Sequence, residues 1–372
     1  MGASDSPRTA HVALLGCITL WFASSALCTA CAKMALNYLH QKAGSCALTI
    51  TTLQFATSAV VSGAVCVALG RRAPSAMREL VLVSLMYTLG FLLLNQSLGR
   101  LVASFTETVR GLEPLTSFAL AWLLSARGSQ LKCASGTALV TVLGGAALSV
   151  WAQPAFDVQG LVLGLLANCA FSSRALLVMR LQDAMRLLTP KGSSGHEVDP
   201  FGLFAAQHAF GLLLLVPATA TSDSSECLRE LTQLGPASQA AGLSALGFLT
   251  YNFLSLYVLL LLDAVAHSVC NTCRRAVTIV AAALIFRTHI SLPSAAGIAL
   301  IIGGAVGYAV AKDTGRAAAA HGSLLGGDSD GDLDTSDRTA RATGTDVGCT
   351  QALLAAEKAE HGSVLGVAVR VG

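Results

Sequence analysis

An all-α integral membrane protein of ten transmembrane helices, arranged as two inverted five-helix repeats, is the fold class that this sequence predicts. Three observations carry it. The first is composition: of 372 residues, 53% are hydrophobic and 12% charged, with a mean hydropathy of +0.64, which is far from a soluble domain. The second is segmentation. The apolar runs are about twenty residues long, the length a helix needs to cross hydrocarbon, and not the alternating segments of about ten residues that build a membrane barrel. The third is an internal repeat. GTALVTVLGGAALSV from Gly136 closes one block of five runs, and GIALIIGGAVGYAV from Gly297 closes the next. Arg110 stands in the first block where Arg274 and Arg275 stand in the second. An odd number of spans per copy turns the second copy upside down, as in many secondary transporters, and paired glycines let helices approach closely.

In chain order the spans are read as 12–38, 46–69, 79–98, 102–125, 133–152, 158–180, 201–219, 239–261, 265–286 and 292–311. Residues 1–11 form a short N-terminal segment, 12–312 the transporter domain, and 313–372 a tail. The fourth span contains Glu113-Pro114, and a proline inside a helix removes a backbone bond and favours a kink. Polar loops follow the sixth span, with KGSSGHEVD, and the seventh, with TSDSSECLRELTQLG. The tail is rich in Gly, Ala, Ser and Asp, includes GGDSDGDLDTSD, and buries too little apolar surface to offset its ordering entropy, so it reads as disordered.

Lysine and arginine set the orientation. Arg8, Arg71, Arg72, Arg78, Arg127, Lys132, Arg186, Lys191, Lys312 and Arg316 fall on the side of the N-terminus, against Lys42, Arg100, Arg229 and Arg287 on the other. This bias places both termini in the cytosol. Most of the eleven cysteines lie in apolar runs. Cys28 with Cys31, and Cys270 with Cys273, read as packing residues, because no histidine spacing or loop supports a zinc site. Met1 to Ser6 matches the N-myristoylation pattern, from which a protein with many spans gains little. No transit peptide precedes the first span, which argues against simple import into a plastid. With no phosphate-cradling loop, HExxH or nucleophile elbow, no enzyme is expected, and no cofactor, metal or nucleic acid.

Few ionisable residues lie within the spans: Lys33, Glu107, Arg110, Glu113, Arg174, Arg274 and Arg275. A charge at mid-membrane costs ~3 kcal/mol on insertion scales, so each marks a site by default. A basic cluster facing a cavity attracts a dianion such as phosphate, whose oxygens match the guanidinium fork. Tyr251, Asn252 and His267 can add neutral contacts. Glu107 lies three residues before Arg110, within pairing distance on a helix. Glu113-Pro114 is read as shaping the helix. An empty site with three unneutralised arginines resists closing away from water, which gives a physical reason for obligatory exchange.

The stretch SFTETVRGLEPLTS (Ser104–Ser117) resembles the fourth-span motif of the plastid phosphate translocators, the triose-phosphate type within the drug/metabolite transporter superfamily. TLGFLLLNQSLGR before it, NCAFSSRALLVMR (Asn168–Arg180) after it, YNFLSLYVLLLLDAVAHSVCNTCRR (Tyr251–Arg275), AKMALNYL around Lys33 and LQFATS around Gln54 are similar too. The similarity runs over about residues 12–312 and excludes the tail. It implies the ten-helix drug/metabolite transporter fold and exchange of triose phosphate, phosphoenolpyruvate or sugar phosphate for inorganic phosphate.

By position the resemblance implies that Arg110, Arg274 and Arg275 hold phosphate, that Tyr251 contacts substrate, and that Lys33 and Arg174 support them. The chain departs from the family at Phe91, where a polar residue is usual, at Glu107, where a histidine is usual, and at Ala264, where a proline is usual. Phe91 and Glu107 therefore modulate the site. Rival readings are a nucleotide-sugar carrier of Golgi or endoplasmic reticulum, which shares the fold, and a membrane scaffold or receptor that no longer transports. The partners expected are organic phosphate, inorganic phosphate and membrane lipid, with a homo-oligomer left open; the membrane is plastid-type or that of Golgi or endoplasmic reticulum.

Overall fold

The computed structural model describes residues 7–43, 45–124, 133–152, 157–188, 198–221, 225–262 and 264–325. The Gly2 pattern, Arg127, Lys132, Lys191 and the chain beyond 325 lie outside the described residues. Among those described, the chain forms twelve helices and no strand. They are α1 (Pro7–Ala43), α2 (Ala47–Ala68), α3 (Met77–Arg100), α4 (Ala103–Arg110), α5 (Glu113–Leu124), α6 (Cys133–Trp151), α7 (Val158–Leu188), α8 (Pro200–Thr221), α9 (Ser225–Thr232), α10 (Pro236–Leu261), α11 (Ala264–Ile285) and α12 (Leu292–Leu325).

Eight of these are long and apolar enough to cross a membrane, and a shorter apolar helix covers Ser135–Trp151. Large apolar side chains such as Val67, Leu123, Trp151, Leu213 and Leu284 are exposed on the outside of the bundle. In a chain this apolar such a surface faces lipid, and helices are the form that satisfies its backbone there. The chain is a multi-pass membrane protein.

Four differences from the sequence reading have physical causes. The fourth span is not one kinked helix; it divides into α4 and α5 at Gly111–Leu112. The stretch after α8, read as a polar loop, holds the short helix α9. Helices α1 and α7 run past the ends set for their spans, and α12 continues through Leu325, because a helix does not stop where its apolar stretch stops. Cys46, at the start of the second apolar run, and Cys227, in the stretch read as a polar loop, are joined in a disulfide between the α1–α2 turn and α9, a pairing the sequence reading did not foresee.

Loop contacts sort the helix ends onto two faces. On one, Lys42 Nζ pairs with Glu230 at 2.8 Å beside the disulfide, and Arg100 meets Asp157 at 3.6 Å. On the other, Arg71 meets Asp199 at 3.7 Å. Both aspartates also start helices: Asp157 accepts from the Gly160 N–H at 3.1 Å and Asp199 from the Gly202 N–H at 3.2 Å. The Gly160 N–H is the main reason the Asp157 carboxyl sits below the usual carboxylate range.

The helices α6 and α12 meet along their glycines. A Cβ on Gly145 would stand 2.6 Å from the Gly297 carbonyl oxygen, and one on Gly304 would stand 2.7 Å from Val142 Cγ2. Gly144 and Gly303 face open space, so one glycine of each pair makes the contact. We expect Gly145→Ala and Gly297→Ala to lower thermal stability in detergent, by ~1–3 kcal/mol as for other overpacked contacts, and Gly144→Ala and Gly303→Ala to change it little. Equal effects at all four positions, measured by the unfolding midpoint, would show that this interface is not set by backbone approach.

Candidate substrate-binding site

The site is built around the break between α4 and α5. Pro114 has no N–H, so the carbonyl of Arg110, four residues earlier, has no helical donor. The chain tightens ahead of the proline: Gly111 N–H donates to Thr108 at 2.9 Å and Leu112 N–H to Val109 at 3.1 Å. The Val109 carbonyl also accepts from Asn168 Nδ2 of α7 at 2.8 Å. The orphaned Arg110 carbonyl accepts from Nη1 of Arg275, which reaches over from α11. Nη2 of the same guanidinium donates to the Glu113 carboxylate in a direct ion pair. Glu113, read as a helix-shaping residue, is thus the counter-ion of Arg275.

Arg274 points to the other side of α11. Its Nε and Nη2 donate to Asn271 Oδ1 at 3.1 and 3.0 Å, and its Nη1 donates to Ser25 Oγ on α1. Its guanidinium carbon lies 5.5 Å from the ring centre of Tyr251 and 5.9 Å from that of Trp21, a cation–π arrangement. Arg110 lies 3.6 Å from Glu107 Oε1 and 5.6 Å from the Phe171 ring centre. Thr29 Oγ1 of α1 donates to the same Glu107 oxygen at 3.1 Å. All three arginines are thus largely buried, and two have carboxylate partners. This corrects the expectation of three unneutralised cations.

The other candidates divide. Lys33 Nζ turns to the end of α3, donating to the carbonyls of Leu98 at 2.8 Å and Gly99 at 3.3 Å, where a cation complements the helix dipole. Arg174 donates to Gln207 Oε1 at 3.1 Å and lies 4.6 Å over Tyr87, in the aromatic layer between α3 and α8. His267 stacks on Trp21 with centroids 5.1 Å apart, and its Nε2 lies 3.1 Å from the Ser255 carbonyl oxygen. Asn252 Nδ2 donates to the Phe248 carbonyl at 2.8 Å, one turn back on its own helix. Phe91 packs edge-on against Phe248 at 4.7 Å and Phe171 at 5.0 Å.

Two cavities adjoin the arginines. The larger, about 200 Å³, lies among α4, α5, α11 and α12, and its polar wall includes Glu107, Glu113, Ser117, Asn271, Arg275 and Tyr308. The smaller, about 30 Å³, is lined by Thr29, Phe91, Glu107, Arg110 and Tyr251 among others. Arg274 lines neither, being held by Ser25 and Asn271. Sequence reasoning missed Trp21, Ser25 and Asn271. Asn271 was within reach of it, since it sits three residues before Arg274; the α1 residues carry no such signal.

A double-mutant cycle tests the break. We expect Pro114→Ala to offer the Arg110 carbonyl a backbone N–H that competes with Arg275. Its effect and that of Arg275→Ala on ligand-induced stabilisation should then be non-additive by ~0.5–3 kcal/mol, the range for residues in one network. Additive effects would separate the two.

Comparison with known proteins follows the same stretch of chain. The phosphoenolpyruvate/phosphate translocator 1, chloroplastic, of Oryza sativa subsp. japonica is 26% identical over 71% of this chain and 64% of its own length. The phosphoenolpyruvate/phosphate translocator 3, chloroplastic, of the same species is 31% identical over 61% of this chain and 56% of its own. The triose phosphate/phosphate translocator, non-green plastid, chloroplastic, of Brassica oleracea var. botrytis is 26% identical over 84% and 75%. The matched stretch thus covers less than two thirds of the first two relatives. Residues 12–309, which hold every residue of the site, match the description Triose-phosphate Transporter family, and the chain belongs to that family.

Proposed function

We propose that the chain is a secondary transporter that exchanges phosphorylated small metabolites for inorganic phosphate by alternating access. The observation that carries this reading is the burial of Arg110, Arg274 and Arg275 on the neighbouring helices α4 and α11, with Arg275 lining one cavity, Arg110 the other, and Tyr251 beside Arg274. Planar guanidinium donors in a low-dielectric interior suit a phosphate group, and their present partners are acceptors that a phosphate can displace. The relatives named phosphate translocators support the substrate class. The larger cavity, about 200 Å³, is below the ~300 Å³ at which pockets for drug-sized ligands begin, which favours a small phosphoester over a nucleotide sugar.

In this reading α4 with α5 makes one crossing, and the ten crossings form two inverted repeats of five. The packing supports it. The largest interfaces are α1 on α10, α3 on α7, α2 on α8 and α6 on α12, with a smaller one of α4 on α11. Moving every crossing on by five turns the first pair into the second and each of the others into itself. A pseudo-two-fold axis in the membrane plane requires that pattern.

The charge bias supports cytosolic termini. The disulfide Cys46–Cys227 lies on the face opposite the N-terminal end of α1, and disulfides persist in oxidising compartments, so that face borders an oxidising space. The relatives' names supply a plastid-type membrane. Protease added to the cytosolic face of sealed membranes should remove a C-terminal tag. The protein should also migrate differently with and without reductant, a difference that Cys46→Ser abolishes. A protected tag, or migration indifferent to reductant, counts against this orientation.

The central test uses purified full-length protein in liposomes loaded with phosphate. Arg110→Ala, Arg274→Ala and Arg275→Ala should each cut phosphate exchange sharply. Losing one charge-assisted partner of a buried anion costs ~2–5 kcal/mol, a factor of tens to thousands. Lysine at 110 should recover part of the loss, since charge returns without the fork. Arg287→Ala, at the end of α11, should matter little. Wild-type exchange rates in the site variants would overturn the reading.

A further inference from the structure

We propose that Glu107 selects the organic end of the substrate, so that the site takes phosphomonoesters ending in a hydroxyl or ammonium donor and turns away those ending in a carboxylate. The proposal rests on the phosphate-exchange reading and narrows it.

Glu107 is the wall that the two cavities share, and it lines both. Its side chain is 3% exposed. One carboxylate oxygen is used: Oε1 accepts from Thr29 and faces Arg110 at 3.6 Å. The other, Oε2, is buried and has no hydrogen-bond partner. A buried carboxylate oxygen left unpaired is costly, so an oxygen in this state at a cavity wall marks a place for a donor.

Apart from Arg110, whose Nε is itself buried without a partner, the surrounding protein has little to give it. Phe91, Leu94 and Phe248 of the smaller cavity are apolar. The amide groups nearby are committed elsewhere: Gln54 Nε2 donates to Ser244 at 2.8 Å, and Asn95 Nδ2 lies 2.9 Å from both Thr51 Oγ1 and Gln54 Oε1. A ligand in either cavity can supply the missing donor. A hydroxyl or ammonium there makes a charge-assisted bond.

Charge points the same way. Arg110 is matched by Glu107 and Arg275 by Glu113. Arg274 alone of the three has no carboxylate within ion-pair distance among the described residues. A phosphate dianion already exceeds that single unmatched cation. A second anionic group beside Glu107 would set like charges a few ångströms apart away from water, where repulsion is strong. This selection departs from the phosphoenolpyruvate named for two of the relatives.

The test compares two ligands that differ only at the end in question. Glycerol 3-phosphate ends in a hydroxymethyl group, and 3-phosphoglycerate in a carboxylate. In liposomes loaded with phosphate, each competes against labelled phosphate uptake by the full-length protein. We expect glycerol 3-phosphate to compete at least about tenfold better than 3-phosphoglycerate, a gap set by like-charge repulsion at close range. In Glu107→Gln the gap should shrink to about threefold or less, because the amide carries no charge and offers its own donor. Equal competition in wild type, or a preference for 3-phosphoglycerate, overturns the proposal without any variant. An unchanged gap in Glu107→Gln overturns it as well. Absence of phosphate–phosphate exchange in wild type refutes the transport reading instead, so the two failures are distinct.

Discussion

The interaction on which the site depends is the bond from the Arg275 guanidinium to the Arg110 carbonyl. It exists because Pro114 leaves that carbonyl without a helical donor. An unpaired carbonyl away from water costs free energy comparable to a lost hydrogen bond, and a charged donor is a strong remedy. The break between α4 and α5 and the basic pair of α11 are therefore two halves of one arrangement. Gly111 tightens the turn, Asn168 holds the Val109 carbonyl, and Glu113, the first residue of α5, meets the second nitrogen of Arg275. Irregular backbone at membrane depth is tolerated where it lines a cavity in this way.

The carboxylates change what the arginines can do. A cluster of bare cations would bind any small dianion tightly and close poorly without one. Here Glu107 pairs with Arg110 and Glu113 with Arg275, so the cluster is partly neutral. In the proposed reading a phosphorylated substrate exchanges with these internal acceptors, and the net affinity is the difference between two sets of charge-assisted bonds. Such a difference is small enough to allow release, which a transporter needs as much as binding.

The scaffold around the site uses a different kind of contact. Helices α6 and α12 approach through Gly145, Gly297 and Gly304, where dispersion between close backbones replaces the hydrophobic effect that lipid removes. Aromatic rings from α2, α3, α8 and α10 pack around His208 and Phe55 on the inner side. On one face the disulfide and the Lys42–Glu230 pair tie the α1–α2 turn to α9. The basic residues Lys33 and Arg174 belong to this scaffold in the present conformation, one at the end of α3 and one over Tyr87.

Chain composition and the spacing of apolar runs determined by themselves that this is a helical membrane protein, where most of its crossings lie, and which few charges are buried. Those properties are local: a run of apolar residues is readable without knowing its neighbours, and a charge inside one is conspicuous. The pairing of Glu107 with Arg110 was legible for the same reason, since both lie on one helix three residues apart. Only the tertiary structure decided that Glu113 belongs to Arg275 and that Ser25 and Asn271 hold Arg274. It also decided that Lys33 turns away to a helix end and that Cys46 meets Cys227 across 181 residues of chain. Each of these joins elements distant in sequence. The partner of a buried polar group is chosen by which helices pack together, and that choice is made by the whole bundle rather than by any one stretch.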